Sequence, residues 1–163
     1  MKILFLCTHN SCRSILSEAL FNHMAPKGCT AYSAGSFPSG EVNPLTLEAL
    51  VRAGVSTAGL RSKSSDEFED LEPDIVITVC DKAAGEACPL YLGRAVRAHW
   101  GLNDPSELAR GDAALNADQV ATAFDECVAI IRQRIDTMLA LPLEVLALNR
   151  DQLQAALNGI GEL

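Results

Sequence analysis

No two cysteines of this chain stand two residues apart, and its three histidines, His9, His23 and His99, do not fall at paired ligand spacing. A structural zinc site is therefore a poor account of it. Basic residues are scarce as well: 13 Lys and Arg face 21 Asp and Glu, for a formal net charge of −8. There is no basic stripe to release counterions from nucleic acid or from an anionic membrane. An anionic substrate must be drawn by a local field against an adverse overall charge. No apolar run approaches the length of a membrane span, and Met1-Lys2 leads straight into a strand without a signal-peptide pattern, so a cytoplasmic protein is expected. Internal repeats and low-complexity segments are absent too. What is left is ordinary globular composition, 48% apolar and 21% charged over 163 residues, enough for one domain with its own core.

Six cysteines are present, Cys7, Cys12, Cys29, Cys80, Cys88 and Cys127. In a reducing compartment, catalytic or redox use explains some of them better than a disulfide framework does. Cys7 opens the stretch Cys7-Thr8-His9-Asn10-Ser11-Cys12-Arg13-Ser14. The apolar run Ile3 to Leu6 before it reads as a strand covered on both faces, and Ile15, Leu16, Ala19, Leu20 and Met24 after it recur at helical spacing. A cysteine followed six places later by arginine on such a strand-to-helix turn makes a trap for a tetrahedral oxyanion. Backbone N–H groups and the positive helix end converge on one point, and the arginine fork grips two oxygens. The same field favours thiolate over thiol, so Cys7 is expected to be ionised near neutral pH, with Ser14 placed to hydrogen-bond it.

Further along, a helix is expected from about Arg13 to Met24, and a strand from Thr30 to Ala34 closed by the turn formers Gly35 to Gly40. Asn43-Pro44 starts a helix that Gly54 stops. Glu18 is either a solvated carboxylate or a brace for the loop. Ser64, Ser65 and Asp66 can cap a short helix through Leu71, and Ile75 to Val79 forms a second β-branched strand that ends at Cys80. Residues 81–95 read as a long loop, Val96 to Leu102 as a strand, and Asn103 to Ser106 as a turn. A long helix carries Val120, Phe124, Cys127, Ile131, Ile135 and Met138, with Asn116 or Asp118 as its cap and Cys127 as a packed core thiol. Asn149 opens a terminal helix bearing Leu153, Leu157 and Ile160. Strands and helices that alternate through short connections imply a doubly wound parallel sheet, whose ligands bind beyond the carboxyl ends of the strands. Cys7 and Cys80 then share one rim, and Asp104, unless it is only a turn former before Pro105, faces it too.

Taken together, Cys7 to Ser14, Ser33-Ala34-Gly35, the pair Cys80 and Cys88, and His99-Trp100-Gly101 followed by Asp104-Pro105 resemble the low-molecular-weight protein tyrosine phosphatase fold, and more closely the thioredoxin-coupled arsenate reductases built on it. The resemblance implies a three-layer α/β domain over residues 1–140, with a four-stranded parallel sheet between helices on both faces, and a C-terminal helical extension over 141–163. It implies that Thr8, His9, Asn10, Ser11, Cys12, Arg13 and Ser14 bind arsenate, an oxyanion of phosphate's shape, while Cys7 attacks it and Asp104 acts as general acid. Cys80 would then attack the Cys7 sulfur and release arsenite, and Cys88 would attack Cys80, leaving a disulfide for a thioredoxin-like reductant. A glutaredoxin or glutathione route is the alternative, and Cys12 is an alternative protective partner for Cys7. No organic cofactor is implied. Asn10, Glu18, Ser33 and Asp66 correspond to positions where some arsenate reductases hold a potassium ion.

Two rival readings remain at this stage. A tyrosine phosphatase needs only one cysteine and usually presents an aromatic residue beside the acid, where this chain has Ser106 after Asp104-Pro105. A thiol-based redox or oxyanion sensor, not an enzyme, would leave Asp104 without a task.

Overall fold

The computed structural model describes residues 1–80, 95–109 and 116–163. Strands β1 (Lys2–Cys7), β2 (Thr30–Gly35), β3 (Ile75–Thr78) and β4 (Val96–His99) pair in parallel in the order β2-β1-β3-β4. The first strand is central, and every one of its residues after Lys2 is buried. Strand alternation sends Ile3, Phe5 and Cys7 into the main core and Leu4 and Leu6 into a smaller cluster on the other face. The connection from β1 to β2 runs to one side and β3 lies on the other, so the strand order switches direction at the carboxyl end of β1, the place where open α/β sheets bind ligands.

Helices α1 (Arg13–Met24), α2 (Pro44–Arg52), α3 (Ala117–Leu139) and α5 (Arg150–Ile160) contribute to the main core, and α4 (Leu143–Leu146) is a single turn between α3 and α5. Their starts follow local chemistry. Asn43 accepts from the Leu45 amide with Pro44 at the first helical position, Asn116 and Gln119 form a reciprocal capping box, and Asn149 accepts from the Gln152 amide. On the smaller face Tyr32 packs against Phe68, ring centroids 5.6 Å apart, in a cluster with Leu4, Leu6, Ala34, Val76 and Ala95. Phe68 ends a 3-10 helix, Ser65–Phe68, which is all that forms of the helix expected to reach Leu71. Among the described residues no helix is long and apolar enough to cross a membrane.

β4 ends at His99, short of the expected Leu102. The Trp100 and Leu102 amides still donate to Thr78 and Val79 carbonyls, but from Trp100 onward other partners take the chain out of the sheet. The Trp100 indole donates to the Leu157 carbonyl at 2.8 Å, and Arg134 donates to the Gly101 carbonyl at 3.2 Å. Leu153, Leu157 and Ile160 of α5 are buried in the main core, and the Asn158 side chain accepts from the His99 amide at 3.1 Å. The C-terminal segment thus shares the core and covers β4 at the edge of the sheet, where unpaired backbone groups are a liability.

Candidate active site

The turn from Cys7 to Ser14 sits at the carboxyl end of β1, and its carbonyls are taken by flanking segments. Cys7 O accepts from the Ser36 amide at 3.3 Å, Thr8 O from Phe37 at 2.9 Å, His9 O from Ser39 at 3.0 Å, and Ser11 O from Asn43 at 3.0 Å. Ser62 Oγ adds a second bond to His9 O, and Thr46 Oγ1 a second to Ser11 O. In a trans peptide the C=O and the following N–H point in opposite directions, and among the described residues no cis bond is present. Carbonyls held outward therefore turn the N–H groups of residues 8, 9, 10 and 12 inward. The Asn10 amide shows the consequence directly, donating to Cys7 Sγ at 3.3 Å. Asn10 itself adopts a left-handed conformation, φ 49°, one of two non-glycine residues among those described to do so. Gly35 is what lets the turn lie so close to β2, because a Cβ there would meet Thr8 O at 2.5 Å.

Two thiols meet at this rim. Cys80 lies two residues past the end of β3, just after Val79, whose amide donates to Leu6 O at 3.0 Å, and Thr8 Oγ1 lies 3.6 Å from the Cys80 sulfur. Cys80 is the largest cause pushing the Cys7 pKa up, followed by burial; the Ser14 hydroxyl and the Asn10 amide pull it down. The expectation of a freely ionised Cys7 is thereby corrected. Charge on one sulfur opposes charge on the other. Burial is also the main reason that the Cys12 thiol is pushed up to about 12 and Cys127 to about 11. Cys7, Cys12, Cys29 and Cys127 form no disulfide among the described residues, and Cys88 lies outside them.

Arg13, the first residue of α1, reaches across the rim to the segment after β4. Its Nη1 donates to Leu102 O at 2.7 Å, and its Nη2 lies 3.7 Å from Asp104 Oδ2. Asp104 Oδ1 accepts from the Ser106 amide at 2.9 Å and from its hydroxyl at 2.6 Å. The structure therefore brings Cys7, Ser14, Cys80, Arg13 and Asp104 to one edge of the sheet.

The residues expected around a cation are only partly gathered. Asn10, Glu18 and Ser33 meet: Asn10 Nδ2 donates to Ser33 Oγ at 3.0 Å and to Ser14 Oγ at 2.8 Å, and Ser33 Oγ donates to Glu18 Oε2 at 2.9 Å. Asp66 is exposed in the 3-10 turn, and its carboxylate makes no hydrogen bond or ion pair among the described residues. Lys63 is there instead, its ammonium 3.2 Å from Ser33 Oγ and 3.7 Å from Glu18 Oε2. Ser33 Oγ is fully used and the Lys63 ammonium stands beside Glu18 Oε2, so a positive charge already occupies the place where a potassium ion was expected. Lys63 and the Leu102 carbonyl are the contributors that sequence reasoning missed. Lys63 stands in a polar stretch without periodicity, and a backbone acceptor leaves no trace in side-chain identity.

A parallel α/β sheet with a C-x5-R turn between its first strand and first helix, and an aspartate approaching that arginine from beyond the last strand, defines a recognisable class of protein. The chain belongs to the family described as low molecular weight phosphotyrosine protein phosphatase, which it matches over residues 2–153. That match runs past residue 140 into α5. An arsenate reductase of Staphylococcus aureus is 30% identical over 124 residues, 76% of this chain and 93% of that one. Among solved structures, an arsenate reductase from Archaeoglobus fulgidus superposes with a TM-score of 0.67 at 25% identity, covering 85% of this chain and 99% of that one. A thioredoxin-dependent arsenate reductase from Corynebacterium glutamicum superposes with a TM-score of 0.56 at 29% identity, covering 83% of this chain and 61% of that one.

Proposed function

We propose that the protein reduces arsenate to arsenite through a thiol relay, drawing its electrons from a thioredoxin-like dithiol. The observation that carries this reading is a second thiol, Cys80, at the carboxyl edge of the strand beside that of Cys7, with Thr8 Oγ1 3.6 Å from its sulfur. Hydrolysis of a phosphate ester has no use for a second thiol there.

The oxyanion sits in the Cys7–Ser14 turn, held by the inward amides and by Arg13. The Cys7 thiol gives its proton to the bound arsenate and its sulfur attacks arsenic(V), and an arsenate oxygen leaves as water after taking that proton and a second one from Asp104. Cys80, as thiolate, attacks the Cys7 sulfur. The sulfur–arsenic bond breaks with its electron pair moving to arsenic, so arsenite departs and a Cys7–Cys80 disulfide remains. Cys88 then attacks Cys80 and frees Cys7, and the external dithiol reduces the Cys80–Cys88 bridge. Two electrons pass from two thiols to arsenic in each cycle, and the relay presupposes a reducing compartment.

Arsenate reduction is measured anaerobically for the wild type and for Cys7→Ser, Cys80→Ser and Cys88→Ser, with thioredoxin and its reductase or glutathione and glutaredoxin as the electron source. Loss of thioredoxin-coupled turnover in all three variants is the expected result. Full turnover in both Cys80→Ser and Cys88→Ser sinks the relay, and a single oxidation event without turnover in the wild type points to a sensor. The family match itself favours a second, weaker activity, hydrolysis of small phosphate esters, which needs only the Cys7 turn, Arg13 and Asp104.

A further inference from the structure

Beneath the Cys7–Ser14 turn, Lys63 is only 7% exposed, although a lysine is seldom buried without partners. Its Nζ donates to the Arg61 carbonyl at 2.8 Å and to Ser33 Oγ at 3.2 Å, and pairs with Glu18 Oε2 at 3.7 Å. Ser33 Oγ is thereby fully used. It gives its one proton to Glu18 and accepts from Lys63 Nζ and Asn10 Nδ2. The Asn10 carbonyl oxygen is used as well, by the Lys63 backbone amide at 2.9 Å. Lys63 therefore grips Asn10 twice, directly through its backbone and indirectly through Ser33. Asn10 is the left-handed residue whose own amide lies on the Cys7 sulfur.

We infer that Lys63 is a tethered monovalent cation: its ammonium neutralises Glu18, fixes Ser33 and Asn10, and so holds the Cys7 turn in its anion-binding shape without a free metal ion. A hydrated potassium ion offers a positive charge to the same oxygens but must be recruited from solution, whereas the lysine arrives with the fold. Potassium enters only by displacing the ammonium, since no unused lone pair of Ser33 remains for it. Lys63 reaches the Cys7 turn through Asn10 and Ser33, with no hydrogen bond to Cys7, and is a positioning residue. The inference concerns how the turn is supported and stands whichever reaction the turn carries out.

The test uses the full chain and inorganic phosphate as the probe, measured by calorimetry in potassium chloride and in choline chloride at equal ionic strength. Wild-type phosphate affinity and melting temperature are the same in both salts. Lys63→Met keeps the aliphatic stem but removes the charge, and it weakens phosphate binding by about tenfold or more, as loss of a supporting contact behind a binding residue typically does. Lys63→Ala weakens binding too, and the space it opens lets potassium or methylammonium, but not bulky choline, restore affinity and melting temperature. Three results overturn the inference: a saturable response of the wild type to potassium, full phosphate affinity in Lys63→Met, or a loss in Lys63→Ala that neither small cation repairs. The last would make Lys63 a packing element only.

Discussion

One guanidinium ties the start of α1 to the segment after β4: Arg13 donates to Leu102 O at 2.7 Å and stands 3.7 Å from Asp104 Oδ2. The proposed acid and the proposed oxyanion-binding cation thus lie side by side, and the Ser106 bonds fix the carboxyl from its other side. Replacing Asp104 by Asn preserves the acceptor for Ser106 but removes the transferable proton. The expected outcome is a fall in kcat of about 10²-fold, within the usual worth of general acid catalysis, with phosphate inhibition no weaker than in the wild type. Steady-state kinetics with arsenate, and phosphate as competitor, check it; parallel loss of kcat and phosphate affinity would mean that Asp104 only orients Arg13.

The Cys7–Cys80 contact makes a pH prediction with a definite sign. Cys80 is the leading reason the Cys7 pKa is raised, while Ser14 and the Asn10 amide lower it. Removing the raising partner in Cys80→Ala lowers the Cys7 pKa, so the midpoint of its iodoacetamide alkylation moves to lower pH and the rate at neutral pH rises. Ser14→Ala removes a lowering partner and must do the reverse. Mass spectrometry of the Cys7 peptide across a pH series reads both, and coincident profiles for wild type and Cys80→Ala would show that the two thiols do not share their titration.

These two relationships differ in how far sequence could reveal them. The span of α1 and the Asn43, Asn116 and Asn149 caps were legible because they rest on periodicity and local side-chain chemistry. The rim shared by Cys7, Cys80 and Asp104 was legible because a parallel sheet sends every strand end to one edge. The Cys7 pKa direction was not, because it depends on which sulfur lies beside which, a contact between residues 73 positions apart that no local pattern encodes. Lys63 was invisible for a related reason. Its burial follows from Glu18 and Ser33 closing over it, and from sequence alone a lysine among serines reads as solvated surface.

Two glycines of similar sequence appearance should respond with opposite signs. At Gly35 a Cβ meets Thr8 O at 2.5 Å and Asn10 N at 3.1 Å, so Gly35→Ala must push the Cys7–Ser14 turn off β2. A loss of about 1–3 kcal/mol is expected from such overpacking, together with weaker phosphate binding. At Gly159, inside α5, a Cβ meets nothing within 4 Å. Gly159→Ala should therefore stabilise by about 0.5–1 kcal/mol through helix propensity and leave phosphate affinity unchanged. Thermal denaturation with and without phosphate separates the two, and a Gly35→Ala protein that binds phosphate like the wild type would refute the tight seating of the turn.

The C-terminal segment should matter to the site as well as to stability. Leu157 is fully buried, its carbonyl accepts from the Trp100 indole at 2.8 Å, and Arg134 ties Gly101 to the Gly161 carbonyl. Trp100 and Gly101 lead directly into Leu102, the acceptor of Arg13. Leu157→Ala should cost about 2–5 kcal/mol, as truncation of a buried leucine does, with a red shift of the Trp100 emission as its surroundings loosen. Ending the chain at Leu141 removes Leu153, Leu157 and Ile160 together, at about 1.5–3 kcal/mol of burial each, a sum comparable to the whole stability of a typical domain. The truncated chain is therefore expected not to fold cooperatively. Should residues 1–141 instead melt in one sharp transition and bind phosphate with wild-type affinity, α5 would be a cover laid on a finished domain, and Arg13 would owe its place to β4 alone.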